Sequence, residues 1–254
     1  MASITPNKVR LLRLAAVAGA IAVWQISSML LGEELLLPSP VTVAKRLYEL
    51  AGKADFLKTV FFTFSRITLG FFIGFAAGTL LGFVSGRLPA VEHILWPYFS
   101  LIKSVPVASF IVLCLIWLSS ENISVFISFL MVLPIIYTNT LNGIRNADRK
   151  LLEAADVFRV RAWRRFALVY LPALRPYLIS GCAVAMGLSW KAGIAAEIIG
   201  IPDGSIGEKF YSAKIYFTTG DLFAWTAVVV VASVLFEKLF LFLLERLYRR
   251  FCRL

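Results

Sequence analysis

The chain has one histidine, three cysteines and only 16% charged residues in 254. Each shortage excludes something. His93 has no nucleophile or second base patterned around it, so covalent and acid–base catalysis have no machinery. Cys114, Cys182 and Cys252 show no ligand spacing and imply neither a disulfide framework nor a metal centre. The glycines from Gly200 to Gly207 lack the Gly-x-x-x-x-Gly-Lys-Ser/Thr order of a phosphate-binding loop. Paired carboxylates inside apolar runs, which ion-coupled carriers keep, are missing too. Soluble domains carry about 25% charged residues, so the low charge argues against one.

Apolar residues supply 59% of the chain, in runs of membrane-spanning length. The expected architecture is an all-α membrane protein, a single transmembrane domain over residues 1–254. Its six spans fall at about 11–31, 59–84, 98–118, 123–141, 168–190 and 222–244. The first run has a basic flank like a signal peptide but no clear small-residue cleavage site, and reads as a retained span. Pro38 and Pro40 break the chain after it, and Val41 to Leu50 has the pattern of a short amphipathic helix. Gly70, Gly74, Gly78 and Gly82 recur at intervals of four along the second span, on one side, where a neighbouring helix can approach closely. Pro106 bends or interrupts the third span, and Pro134 kinks the fourth.

A net charge of +11 in a soluble protein would suggest nucleic acid. Here the basic residues crowd at Lys8 to Arg13, Arg145 to Arg165 and Arg246 to Arg253, each beside an apolar run, so positive-inside topology accounts for them without a nucleic-acid partner. The loop from Gly32 to Val60 balances four acidic against four basic residues, whereas residues 145–165 hold seven basic and three acidic. An even number of spans puts all the basic segments on one side, so both termini are expected to be cytoplasmic.

One polar segment, 145–167, interrupts the apolar runs. Leu151, Leu152, Ala155 and Phe158 share a side at helical spacing, leaving Asp148, Glu153, Asp156, Arg149 and Arg159 for a wet or partner-facing side. A helix there, between the fourth and fifth spans, belongs on the inner face. Arg159, Arg161, Arg164 and Arg165 suit either acidic groups of a partner or anionic lipid headgroups. Arg66, early in the second span, reaches either the headgroups or a partner within the bundle, with contact to an anionic solute as the alternative. Lys191 and Glu197 stand six apart, off the spacing of a helical ion pair, and are candidates for an external vestibule or gate. Trp190 and Trp225 fit interfacial anchors as well as any pocket.

Glu153-Ala154-Ala155, followed by Leu168-Val-Tyr-Leu-Pro172-Ala-Leu-Arg-Pro176, resembles the signature of permease subunits of bacterial ATP-binding-cassette importers. Leu37-Pro38-Ser39-Pro40, Ser65-Arg66 with Gly70, Pro97 with Pro106, and Ala196-Glu197 before Gly204 and Gly207 resemble the nitrate, sulfonate and taurine branch. The resemblance implies a coupling helix in which Glu153, Ala154, Ala155, Phe158 and Arg159, with Pro172 at the re-entry, engage an ATPase. It further implies a homodimer in the cytoplasmic membrane, two ATPase subunits that hold ATP and Mg, and an extracytoplasmic solute-binding protein. No cofactor belongs to this chain, and it is not an enzyme. Aliphatic sulfonates or taurine lead as solutes, with nitrate, bicarbonate-like anions and pyrimidine vitamin precursors as alternatives. A membrane scaffold without transport activity is the competing class. The family's signature has a glycine where Phe158 stands, so the turn there is either built differently or Phe158 is an apolar knob for the ATPase cleft.

Overall fold

Helices follow one another with few intervening residues. The computed structural model describes residues 6–251; the expected cytoplasmic chain ends, with Cys252 and Arg253, lie outside them. In order the helices are α1 (Pro6–Leu31), α2 (Pro40–Ala51), α3 (Phe56–Arg87), α4 (Pro89–Ser104), α5 (Val107–Cys114) and α6 (Ser120–Arg145). Then come α7 (Arg149–Val157), α8 (Ala162–Arg165), a π turn (Phe166–Tyr170), α9 (Leu171–Gly200), α10 (Ile206–Ile215) and α11 (Thr219–Phe251).

Among the described residues, five stretches are long and apolar enough to cross a membrane: Arg10–Leu31, Phe56–Arg87, Ser120–Arg145, Ala162–Gly200 and Thr219–Arg250. A sixth crossing exists if α4 and α5 form one span, and they meet at 103°. Pro106 causes the break, since the residue before a proline is driven from helical geometry and Val105 is extended at ψ 131°. With 16 and 8 residues, α4 and α5 rise about 24 and 12 Å, so neither crosses a ~30 Å hydrocarbon layer alone. The protein is an all-α, multi-pass membrane bundle.

The chain divides into two compact units. One comprises the described residues up to Lys58 together with Lys209–Val229. There Pro38 and Pro40 act as expected: Ser39 caps α2 by accepting from Thr42 N at 3.1 Å, and Pro40 sits at the first helical position, where its missing N–H costs nothing. Trp24 Nε1 donates to Pro38 O at 3.1 Å and Ser28 Oγ to Leu37 O at 2.8 Å, tying the turn to α1. Trp225 is buried, stacked on Phe56 with ring centroids 5.4 Å apart.

The other unit, Thr59–Glu208 with the described residues from Val230, holds the larger core, centred on α6 and α9. Trp190 is buried between Phe64 and Phe236, at 5.8 and 6.5 Å. Neither tryptophan is therefore an interfacial anchor. Both sit one or two turns from polar residues, which is the sequence signature of an anchor, but ring packing has drawn them inside.

The glycine stripe lies between α3 and α6. A β-carbon on Gly70 would stand 2.3 Å from the Val125 carbonyl oxygen, on Gly74 2.8 Å from Val132 Cβ, on Gly78 2.9 Å from Leu133 O and on Gly82 2.7 Å from Tyr137 O. Gly86 continues the row, 2.6 Å from Ile144 Cγ2. These contacts to backbone and branched side chains crowd any added methyl group, most of all at Gly70, and they set the distance between the two helices.

Candidate functional site

Two regions carry the residues singled out from the sequence. The first is the polar segment. Asp148 caps α7, its carboxylate accepting from Lys150 N at 2.9 Å. Glu153 is the fifth residue of the helix and exposed, so Asp148 rather than Glu153 complements the exposed N–H groups of the first turn. Ala155 is buried against its own chain. Ala154, Val157 and Phe158 face outward, Phe158 with 80% of its surface exposed. The apolar side read from the sequence is thus divided: Ala155 faces inward, and Phe158, swung out past the helix end, does not.

The turn after α7 resolves the missing glycine. Phe158 has φ −82°, which any residue adopts, and the left-handed position is Arg159 at φ 50°. Val160 N donates to Ala155 O at 2.9 Å and Arg159 N to Asp156 O at 3.1 Å, the pair of bonds that closes a helix C-terminus in a Schellman motif. The strained position lies one residue beyond Phe158.

After the turn, Arg165 pairs with Asp156, and Trp163 stacks on Phe166 at 5.9 Å. Phe166 and Tyr170 both pack against Phe83 of α3, at 5.5 and 6.3 Å, and the Arg87 guanidinium lies over the Phe83 and Tyr170 rings at 4.5 and 5.3 Å. The π turn sits where Pro172 withholds the N–H that would bond to Leu168. These packed rings join the segment after α7 to α3 and lead directly into α9.

The second region surrounds Glu197. It is fully buried, not open to a vestibule, and its Oε2 accepts from Thr63 Oγ1 at 2.7 Å and from Gly207 N at 3.3 Å. Thr63 Oγ1 in turn accepts from Ile206 N at 3.0 Å. The end of α9 and the start of α10 are thereby clasped to α3. Gly207 is required here, because a β-carbon would lie 2.3 Å from Glu197 Cβ. Between them Ile201 (φ 49°) and Gly204 (φ 75°) turn the chain. Arg66 donates from Nε to Glu121 O at 2.6 Å, lies 3.6 Å from the Glu121 carboxylate and covers the Phe62 ring at 4.0 Å. Lys191 is exposed on α9 and pairs with no acidic group among the described residues. Lys191 thus stands apart from the other two, while Arg66 bonds to Glu121 and lies within electrostatic reach of Glu197 without a direct bond to it. Thr63 was not legible as a site residue, since nothing local links it to a carboxyl 134 positions away; the only trace is Gly207, a glycine where a backbone must approach closely.

Residues 58–253 match the family described as binding-protein-dependent transport system inner membrane component. The chain is 33% identical over 241 residues to the Escherichia coli (strain K12) permease protein SsuC, named for aliphatic sulfonates transport, covering 92% of this chain and 88% of that one. It is 29% identical over 229 residues to the SsuC permease protein of Bacillus subtilis (strain 168), covering 89% and 82%. It is 26% identical over 220 residues to the taurine transport system permease protein TauC of Escherichia coli (strain K12), covering 84% and 80%. With its multi-span bundle and a match across more than three-quarters of its length, the chain belongs to the binding-protein-dependent inner-membrane transport family: it is a permease of the ATP-binding-cassette importer type, not a catalytic enzyme.

Proposed function

We propose that this chain forms the translocation path for a small organic anion, an aliphatic sulfonate or taurine, in an ATP-driven importer of the bacterial cytoplasmic membrane. In this reading α4 and α5 together make the third of six spans, and both termini and α7 are cytoplasmic. Two copies form the path, two ATPase subunits bind ATP and Mg below it, and an extracytoplasmic binding protein delivers the solute. The naming of the relatives supports the solute class, and the crowding of basic residues at 145–165 supports the side.

The observation that carries the mechanism is the exposed Val157–Phe158 tip of α7, tied through Phe166, Tyr170, Phe83 and Arg87 to two spanning helices. Phe158 and Val157 enter the ATPase cleft, with Ala154 allowing close approach and Glu153 and Arg159 meeting polar groups at its rim. Ala155 acts from the other side, seating α7 on its own bundle. Closure of the ATPases moves α7, and the packed aromatics pass the motion to α3 and α9, with Pro172 setting the angle of re-entry. The α3–α6 glycine contact keeps those helices moving as one body. Glu197 holds the outer end of α9 to α3, while Arg66 and Lys191 bear on the path or gate.

Reconstitution of the permease with its ATPase and binding protein tests this. Uptake of labelled taurine or ethanesulfonate into vesicles should require ATP and both partners. Equilibration without ATP would contradict the proposal, and uptake of nitrate instead would replace the solute while leaving the mechanism.

A further inference from the structure

The larger unit contains a cavity of about 310 Å³ between α4 and α6, at the low end of the range for small-molecule sites. Its lining is divided by chemistry. Phe99 and Tyr137, stacked with centroids 4.1 Å apart, and Leu141 give an apolar side, and Trp96 stands exposed beside them. The polar side is Lys103, Ser100, Thr138 and Asn142. At one end Arg145 pairs with Glu92, so the only acidic group of the lining is already engaged.

Lys103 is in a different position. Its Nζ reaches Thr138 Oγ1 at 3.3 Å, and that hydroxyl gives its own proton to Pro134 O at 2.7 Å. No acidic group among the described residues pairs with Lys103, which leaves two ammonium N–H bonds and one unit of positive charge for the cavity. Lys103 is exposed at the mouth of the cavity, one turn from the break at Pro106. Tyr137 is buried and its hydroxyl has no hydrogen-bond partner, and the exposed Ser100 and Asn142 side chains, which make no bond to any described residue, are open to a ligand. Donors without acceptors, one uncompensated cation and an aromatic wall describe the complement of a small amphipathic oxyanion.

We infer that this cavity is an anion-binding subsite in which Lys103 receives the sulfonate or carboxylate head of a small organic solute and the Trp96–Phe99 wall receives its carbon chain. The solute class rests on the importer reading above; the anion preference rests on the cavity alone. Lys103 binds the head group, and Ser100 and Asn142 complete its hydrogen bonds.

The test separates the two. In the assembled complex with Cys252→Ser, a Ser100→Cys substitution places a thiol on the lining, while Cys114 and Cys182 are buried. The negatively charged sulfonatoethyl methanethiosulfonate should label it faster than the trimethylammonium analogue, 1-butanesulfonate should protect it, and Lys103→Gln should lower the anion-to-cation rate ratio about tenfold. In uptake assays Lys103→Gln should reduce taurine uptake tenfold or more, with binding-protein-stimulated ATP hydrolysis kept within twofold, and Lys103→Arg should restore uptake. A rate ratio indifferent to Lys103, absent protection by 1-butanesulfonate, wild-type uptake by Lys103→Gln, or joint loss of uptake and hydrolysis would each overturn the subsite. A wild-type complex that takes up no taurine would sink the solute assignment alone, because the labelling ratio still decides the site.

Discussion

Adding a single methyl group along α3 should give graded costs that follow the gaps between α3 and α6. A β-carbon at Gly70 would lie 2.3 Å from the Val125 carbonyl oxygen and 2.8 Å from Ser128 Cβ, so α3 and α6 must separate by about 1 Å to reach ordinary van der Waals distance. At Gly78 the nearest atoms are at 2.9 and 3.0 Å, and a shift of a few tenths of an ångström suffices. At Gly187 of α9 nothing lies within 4 Å. Overpacking costs about 1–3 kcal/mol, offset by the ~1 kcal/mol that alanine gains over glycine in a helix. Gly70→Ala should therefore destabilise by about 2 kcal/mol, Gly78→Ala by less than about 1 kcal/mol, and Gly187→Ala should be neutral or stabilising. Thermal unfolding of the purified permease in lipid nanodiscs reads the order. If Gly70→Ala unfolds at the same temperature as Gly187→Ala, the glycine row is not what sets the helix spacing.

Other substitutions probe the turn and the clasp. Arg159→Gly should stabilise the permease by about 1 kcal/mol by relieving the left-handed strain, whereas Phe158→Gly should not, and thermal unfolding of the two variants distinguishes them. Thr63→Val removes a donor to Glu197 and the acceptor for Ile206 N, about 1–3 kcal/mol for each buried group left unpaired. Faster hydrogen exchange at the Ile206 and Gly207 amides should accompany it, while Thr63→Ser should keep both slow; unchanged exchange in Thr63→Val would dissolve the clasp.

What the sequence made legible follows from the range of the forces involved. The glycine spacing of α3 reports a helical face directly, and Pro38 and Pro40 mark a local break, so both can be read along the chain. Pro106 announces a break, but the 103° between α4 and α5 depends on what each helix packs against. The turn after α7 could not be located from a glycine position, because an arginine there takes the left-handed conformation under two backbone bonds that hold it. Glu197 looked like a candidate for an open vestibule because an acid near an apolar run has no visible partner. Its partner, Thr63, arrives from another helix and buries it. Lys103 likewise gains its meaning only when α6 brings Thr138 and Tyr137 beside it.

The central claim is that α7 is the handle by which a separate ATPase moves the bundle. Phe158→Cys, crosslinked to the cognate ATPase in the reconstituted complex, measures it directly. A crosslink that forms in native membranes and arrests ATP-driven uptake until it is reduced is the expected result. Reaction of that thiol with an impermeant reagent added outside intact cells, or full uptake by a complex in which Phe158→Cys never captures the ATPase, would contradict it.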